Sequence, residues 1–312
     1  MMLPANLDPH PPARSRKKPY FVAGGYLVLA VSCYAFARHI DGGALVRALS
    51  QVRPVGLAVA CLLTLAQLSC RAIVFRTLLM PVLWMPWLRM QRFMLATSAA
   101  TALVPGRAGD FMRAYLLKRD DNVAVASTAA VTALEKTVEV MAMLLVLVPV
   151  LLPIRNLPGW VGKSLLVSAA LAAGLLLVTA VVASRPRPPR WLASFNAGLA
   201  IVKRPSLLGR ALLVSVASWL LDLACLLAVM HAVGVLVPAS AGLLVLLAVN
   251  LAIAVPVVPG NLGTFELGAI AGLQPFGISY EVGLTVGLLY HLAQVIPIAL
   301  LALLDSRFVV DR

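Results

Sequence analysis

Charge is what this sequence has least of. Only 12% of its 312 residues are Asp, Glu, Lys or Arg, about half the share found in soluble domains, while 61% are hydrophobic. That balance excludes an ordinary soluble globular domain and directs the chain to a membrane. Acidic side chains are the scarcest, 12 against 26 basic, for a net charge of +14. Such a basic excess raises nucleic acid as a partner. Here, however, Lys and Arg cluster in short loops between apolar runs, as the positive-inside rule requires, and no nucleic acid is expected. Cysteine is nearly missing: Cys33, Cys61, Cys70 and Cys225 all fall in apolar runs, with no CxxC and no metal spacing. They read as small packing residues, so neither a disulfide framework nor a metal or other cofactor is expected. There is no nucleotide-binding motif either, so any driving force is expected from a gradient or from downstream consumption.

What the sequence does contain is a repeated break. Val104-Pro105-Gly106-Arg107-Ala108-Gly109-Asp110-Phe111 returns half a chain later as Val258-Pro259-Gly260-Asn261-Leu262-Gly263-Thr264-Phe265, with five of eight positions identical. Proline removes a backbone donor and glycine tolerates positive φ, so each copy is expected to break a helix. Broken backbone at bilayer depth survives only where it is buried in protein or lines a wet cavity. Matching breaks in two halves point to a shared binding site.

Taken in order, residues 1–19 are Pro-rich and basic and read as a disordered cytoplasmic tail. The apolar run 20–37 imitates a signal peptide but is longer than a usual h-region, so an uncleaved first span is expected. Further spans are expected at 55–79, 123–152, 164–183, 211–235 and 282–304, about six in all. Arg71 and Arg76 fall near the end of the second, where their stems snorkel, and Trp84, Trp87, Arg89 and Arg92 follow as an interfacial belt. Stretch 93–104 is too short to cross a ~30 Å hydrocarbon core at 1.5 Å per residue. It breaks at Pro105-Gly106, resumes, and meets Lys118 and Arg119, so 93–118 reads as a re-entrant helical hairpin. A second is expected at 239–279. Glu135, Lys136 and Glu139 interrupt 123–152, leaving two arrangements open: a full span, or 110–134 partly along the surface with 137–152 crossing. In the basic loop 184–208, Trp191, Phe195 and Leu199 share one helix face, set either on the membrane surface or against the protein's own underside.

The loop charges place both termini in the cytoplasm, in a cell inner membrane. The first hairpin then starts from the cytoplasmic face. Three spans later the second starts from outside, since no Lys or Arg occurs from 232 to 290. The expected fold is an all-α polytopic membrane protein of about six spans plus two re-entrant helical hairpins, with inverted halves 20–152 and 153–312. Inverted halves place a shared site near the midplane.

Asp110, Arg113, Glu135, Lys136, Glu139, Asp222, Glu266 and His291 lie in or beside apolar stretches. An ionised group at the bilayer centre costs about 2.5–3.5 kcal/mol, so each should be paired, hydrated or functional. Arg107 and Arg113 flank Asp110. Arginine offers bidentate donors that suit phosphate oxygens, and helix N-termini after Gly106, Gly109, Gly260 and Gly263 add backbone N–H groups. The alternative is that both arginines are interfacial anchors paired with Asp110. Thr128, Thr132, Glu135 and Glu139 share one helix face. Their carboxylates need Lys136, a nearby Arg or a proton, so a salt bridge to the first hairpin and proton coupling both stay open. Glu266 follows the second break where Asp110 or Phe111 follows the first, and Asn261 stands where Arg107 does. His291 follows Pro259 much as Glu135 follows Pro105, and is either a gate near physiological pH or a packing residue. These groups are expected to converge on one centre. Asn250 and Gln294 either line the same cavity or bond neighbouring helices, and Asp222 has no evident partner.

The residues Arg92-Phe93, Pro105-Gly106-Arg107-Ala108-Gly109-Asp110, Arg113-Ala114-Tyr115-Leu116, Glu135-Lys136 and Pro256 to Glu266 resemble the lysylphosphatidylglycerol synthase transmembrane region, a flippase-like family. The resemblance covers nearly the whole chain after the tail. The family shows Glu where this chain has Asp110, Arg where it has Lys136, and an Arg near the position of His291. It implies movement of lipids with anionic headgroups between leaflets, with a non-transporting partner of a lipid-modifying enzyme as the alternative. Full-length synthases carry a further aminoacyl-transferase domain that is absent here, and no metal cluster for lipid-phosphate chemistry is present, so the chain is expected not to be an enzyme.

Overall fold

The computed structural model describes residues 50, 52–103, 108–154, 157–184, 189–254 and 261–305. The expected tail and first span, and Pro105, Gly106, Arg107, Pro259 and Gly260 of the two breaks, lie outside the described residues. Among those described there are ten α-helices and no strand. In order they are α1 (Pro54–Leu79), α2 (Trp87–Leu103), α3 (Ala108–Asp121), α4 (Val125–Leu151), α5 (Gly159–Ser184), α6 (Arg190–Gly198), α7 (Pro205–Val233), α8 (Ala239–Ala252), α9 (Thr264–Leu273) and α10 (Tyr280–Leu304).

Helices α1, α5, α7 and α10 are long and apolar enough to cross a membrane. Proline opens α1 and α7 at the first helical turn, where its missing N–H is no loss. Gly234, at φ 84°, closes α7 in the left-handed conformation. Six spans are thus not all matched. The first falls outside the described residues, and α4 carries Glu135, Lys136 and Glu139 at mid-helix. In length α4 is sufficient: its 27 residues run about 40 Å. It is one continuous helix, and Asn122 at φ 55° separates it from α3. Residues 110–134 therefore do not form a single surface element. Trp87, Arg89 and Arg92 also belong to α2, which starts earlier than the apolar stretch suggests.

The short helices pair as two antiparallel hairpins. In α2–α3 a Cβ on Gly109 would run into the Thr97 carbonyl and the Thr101 hydroxyl, so glycine permits the close approach near the apex. At the outer ends Arg89 donates to both carboxylate oxygens of Asp121, at 2.9 and 2.7 Å. In α8–α9 a Cβ on Gly268 or Gly272 would sit 2.6 or 2.5 Å from the Cα of Val249 or Val245.

Two apolar cores result. One gathers Leu68–Leu79 of α1, the α2–α3 hairpin and the first half of α4. The other gathers Ala60 of α1, the far ends of α4 and α7, the α8–α9 hairpin and α10. The hairpins therefore sit at opposite ends of the bundle. Helices α1 and α7 run antiparallel between them: Arg53 N donates to Ala232 O at 3.0 Å, and Thr64 meets Cys225 at 3.6 Å. Helix α6 packs on the protein's own underside. Ser127 Oγ donates to the Ser194 carbonyl at 2.6 Å, and Leu199 just beyond the helix is fully buried.

Candidate functional site

Between the two cores lies a polar layer with a cavity of about 50 Å³, room for a few water molecules. Helical spacing builds its walls. Gln67, Arg71 and Val74 come from one stripe of α1, Glu135 and Glu139 from successive turns of α4, and Ser215, Ser218 and Trp219 from one stripe of α7, with Asn250 of α8 opposite. Two of these groups are partly committed. Trp219 Nε1 donates to the Glu139 carbonyl at 3.1 Å, and Asn250 Nδ2 donates to the Leu246 carbonyl at 2.8 Å.

The charges around the cavity divide into pairs and one remainder. Arg113 Nη1 donates to Glu135 Oε2 at 2.6 Å, and both side chains are almost wholly buried. The guanidinium also lies 4.8 Å from the centre of the Phe75 ring and 4.0 Å from Asp110, and its Nε has no acceptor. Lys136 Nζ donates to Glu139 Oε2 at 2.9 Å. Arg71 is exposed at the cavity and makes no direct ion pair or hydrogen bond with a described residue. Its charge acts on both Glu139 and Asp222.

A second set lies beside the other core. The Tyr290 hydroxyl and Gln294 Nε2 both donate to Asp222 Oδ1, at 2.6 and 2.9 Å. One residue along α10, His291 Nδ1 lies 2.8 Å from Glu266 Oε1, and the imidazole stacks on Phe265 at 4.4 Å. The other Glu266 oxygen accepts the Gly263 N–H at 2.6 Å, where Gly263 takes φ 82°. Glu266 thus caps α9 from its third position as well as holding His291.

The expected salt bridge from Glu135 to the first hairpin is present, and Arg113 is its partner. Asp110 stays partly exposed beside it. Asn261 stands at φ 57°, with its carbonyl accepting from Thr264 Oγ1 at 2.9 Å. Of the expected single centre, Arg107 lies outside the described residues. Arg113–Glu135 and Glu266–His291 make separate pairs, and no hydrogen bond or ion pair joins them among the described residues. Arg76 turns to the loop beyond α1, with Nε donating to the Met85 carbonyl at 2.7 Å and the guanidinium 5.7 Å from the Trp84 ring. Arg71 does not; it lines the cavity.

Sequence reading missed Arg71, Gln67, Ser215 and Ser218 as site residues. A signal was present: Thr64, Gln67 and Arg71 on α1, and Ser215, Ser218 and Asp222 on α7, are polar stripes at helical spacing on otherwise apolar helices. Among curated proteins, none matches this chain. Residues 22–302 match the family described as the lysylphosphatidylglycerol synthase TM region; the chain is a multi-pass helical membrane protein and belongs to that family.

Proposed function

We propose that this protein moves an anionic or phosphate-bearing lipid between leaflets, and that it is a transporter rather than an enzyme. The observation that carries the reading is Arg71, an exposed guanidinium with no direct partner among the described residues, at a polar cavity between two apolar cores. A guanidinium in that setting suits phosphate oxygens. The cavity, on this reading, takes the phosphate group and opens further for the rest of the headgroup, while the acyl chains stay in the surrounding lipid. On this reading the α2–α3 and α8–α9 hairpins are re-entrant and enter from opposite faces of an inner membrane, the two halves are inverted repeats, and rocking one against the other alternates access. Arg113, committed to Glu135, is a positioning residue.

The test is reconstitution in liposomes with fluorescent phosphatidylglycerol, reading the fraction of inner-leaflet label that becomes accessible to dithionite. Wild-type protein is expected to expose the inner pool, and Arg71→Ala to slow that at least tenfold. Arg76→Ala, at the interface, should leave the rate near wild type. No movement by wild-type protein would overturn transport and favour a partner of a lipid-modifying enzyme.

A further inference from the structure

Among the described residues, Asp222 is a buried carboxylate with no Lys or Arg in contact. Glu135 is answered by Arg113 at 2.6 Å and Glu139 by Lys136 at 2.9 Å. Asp222 accepts from neutral donors, Tyr290 and Gln294 on the same oxygen, with Gln67 of the cavity wall also against it. Arg71, the cation on the cavity wall, makes no direct ion pair with Asp222. Ser218, one turn before Asp222, lines the same cavity as Arg71, which sets the carboxylate just behind the wall that carries the guanidinium. A carboxylate away from water persists only when paired, and otherwise takes a proton.

We propose that binding of an anionic headgroup at Arg71 is coupled to uptake of one proton by Asp222. This rests on the reading that the cavity takes a phosphate-bearing lipid. Phosphate oxygens claim the Arg71 guanidinium and bring a further negative charge into the layer. Asp222 then becomes a neutral carboxylic acid: one proton from water adds to Oδ2, while Oδ1 keeps its bonds from Tyr290 and Gln294. Release of the lipid restores the Arg71 counter-charge and returns the proton. Lipid and proton therefore travel together, and a proton gradient drives the lipid in the direction the proton moves.

The other titratable groups near Asp222 are already engaged or distant. From α1, Arg71 faces it, with Cys61 and Cys70 on the same helix. From α4 come Glu135 and Glu139 with their cations Arg113 and Lys136, and from α10 come Tyr290 and His291, the latter turned to Glu266. Helix α7 itself adds Cys225 and, about two and a half turns on, His231, and α8 has no titratable side chain. Lys203, Arg204 and Arg210 lie at the far start of α7, about three turns or more away.

The experiment is calorimetric titration of the full-length protein, in phosphatidylcholine nanodiscs, with dihexanoylphosphatidylglycerol. Two buffers of different ionisation enthalpy give the protons taken up per lipid bound. The expected result approaches one proton per lipid, with affinity weakening up to tenfold per pH unit as pH rises through the coupled range. Asp222→Asn, checked for an unchanged elution volume and melting temperature, should remove the uptake and flatten the pH profile. Wild-type binding without proton exchange overturns the coupling and leaves the headgroup reading standing. Uptake that persists in Asp222→Asn overturns the assignment to Asp222. If wild type neither binds this probe nor moves the fluorescent lipid, the headgroup reading fails and takes this proposal with it.

Discussion

The Arg113–Glu135 pair offers a sharp test of how the polar layer is held. Its N–O distance is 2.6 Å, and the side chains are 10% and 2% exposed. Changing Glu135→Leu removes the carboxylate and leaves a buried guanidinium with Asp110 at 4.0 Å and the face of Phe75. Changing Arg113→Met leaves a buried carboxylate on α4. Removing one member of a buried pair costs about 3–5 kcal/mol, because the survivor stays desolvated and unanswered. Replacing both by apolar residues of similar volume is close to neutral or stabilising. The double variant Arg113→Met/Glu135→Leu should therefore unfold near wild type, while each single variant loses about 3–5 kcal/mol, so the coupling equals the sum of the two single losses, about 6 kcal/mol or more. Unfolding in mixed micelles with rising dodecyl sulfate reads all four corners of the cycle. Single variants within about 1 kcal/mol of wild type, with coupling below ~0.5 kcal/mol, would refute a dry, mutually dependent pair.

The hairpins and the topology make two further predictions. Gly268→Ala and Gly272→Ala place a Cβ within 2.6 Å of backbone on α8 and should each cost about 1–3 kcal/mol by overpacking. Gly174→Ala on α5 meets nothing within 4 Å and should be neutral or gain about 0.5–1 kcal/mol; thermal unfolding in detergent checks all three. In a background without Cys33, Cys61, Cys70 and Cys225, Lys118→Cys at the outer end of α3 and Gln274→Cys just past α9 should react with an impermeant maleimide from opposite faces. Labelling of both from one face would sink the inverted arrangement.

The long apolar helices were legible because the bilayer imposes a minimum length, which composition alone reveals. The hairpins were legible because Pro-Gly-x-x-Gly in each half has few other uses in an apolar run. The role of Arg71 was not. It sits near the end of its span, as Arg76 does, and sequence position made both look like snorkelling anchors. Which way a charged side chain points depends on helix rotation, and here α1 is set by its packing on α7, where Gly56 sits against Ala232. That is a contact between distant segments. Asp222 lacked a visible partner for the same reason: Tyr290 and Gln294 lie 68 and 72 residues further on. The early start of α2 was hidden because Arg89 resembles a loop residue until Asp121, 32 residues later, is seen to hold it.

Each hairpin has its second helix tied to the span behind it by one buried polar pair: α3 to α4 through Arg113 and Glu135, and α9 to α10 through Glu266 and His291. Such a pair is poor evidence for stability, but it does fix how two helices meet. It also resists exchange. A phosphate that took Arg113 would strand Glu135 in a dry setting, at a cost close to that of deleting its partner. Arg71 carries no such penalty, since no direct ion pair must be broken before it turns to a ligand. Proximity to the Pro-Gly break made Arg113 look like the headgroup ligand. The energetics of partner exchange favour the arginine that no motif marks.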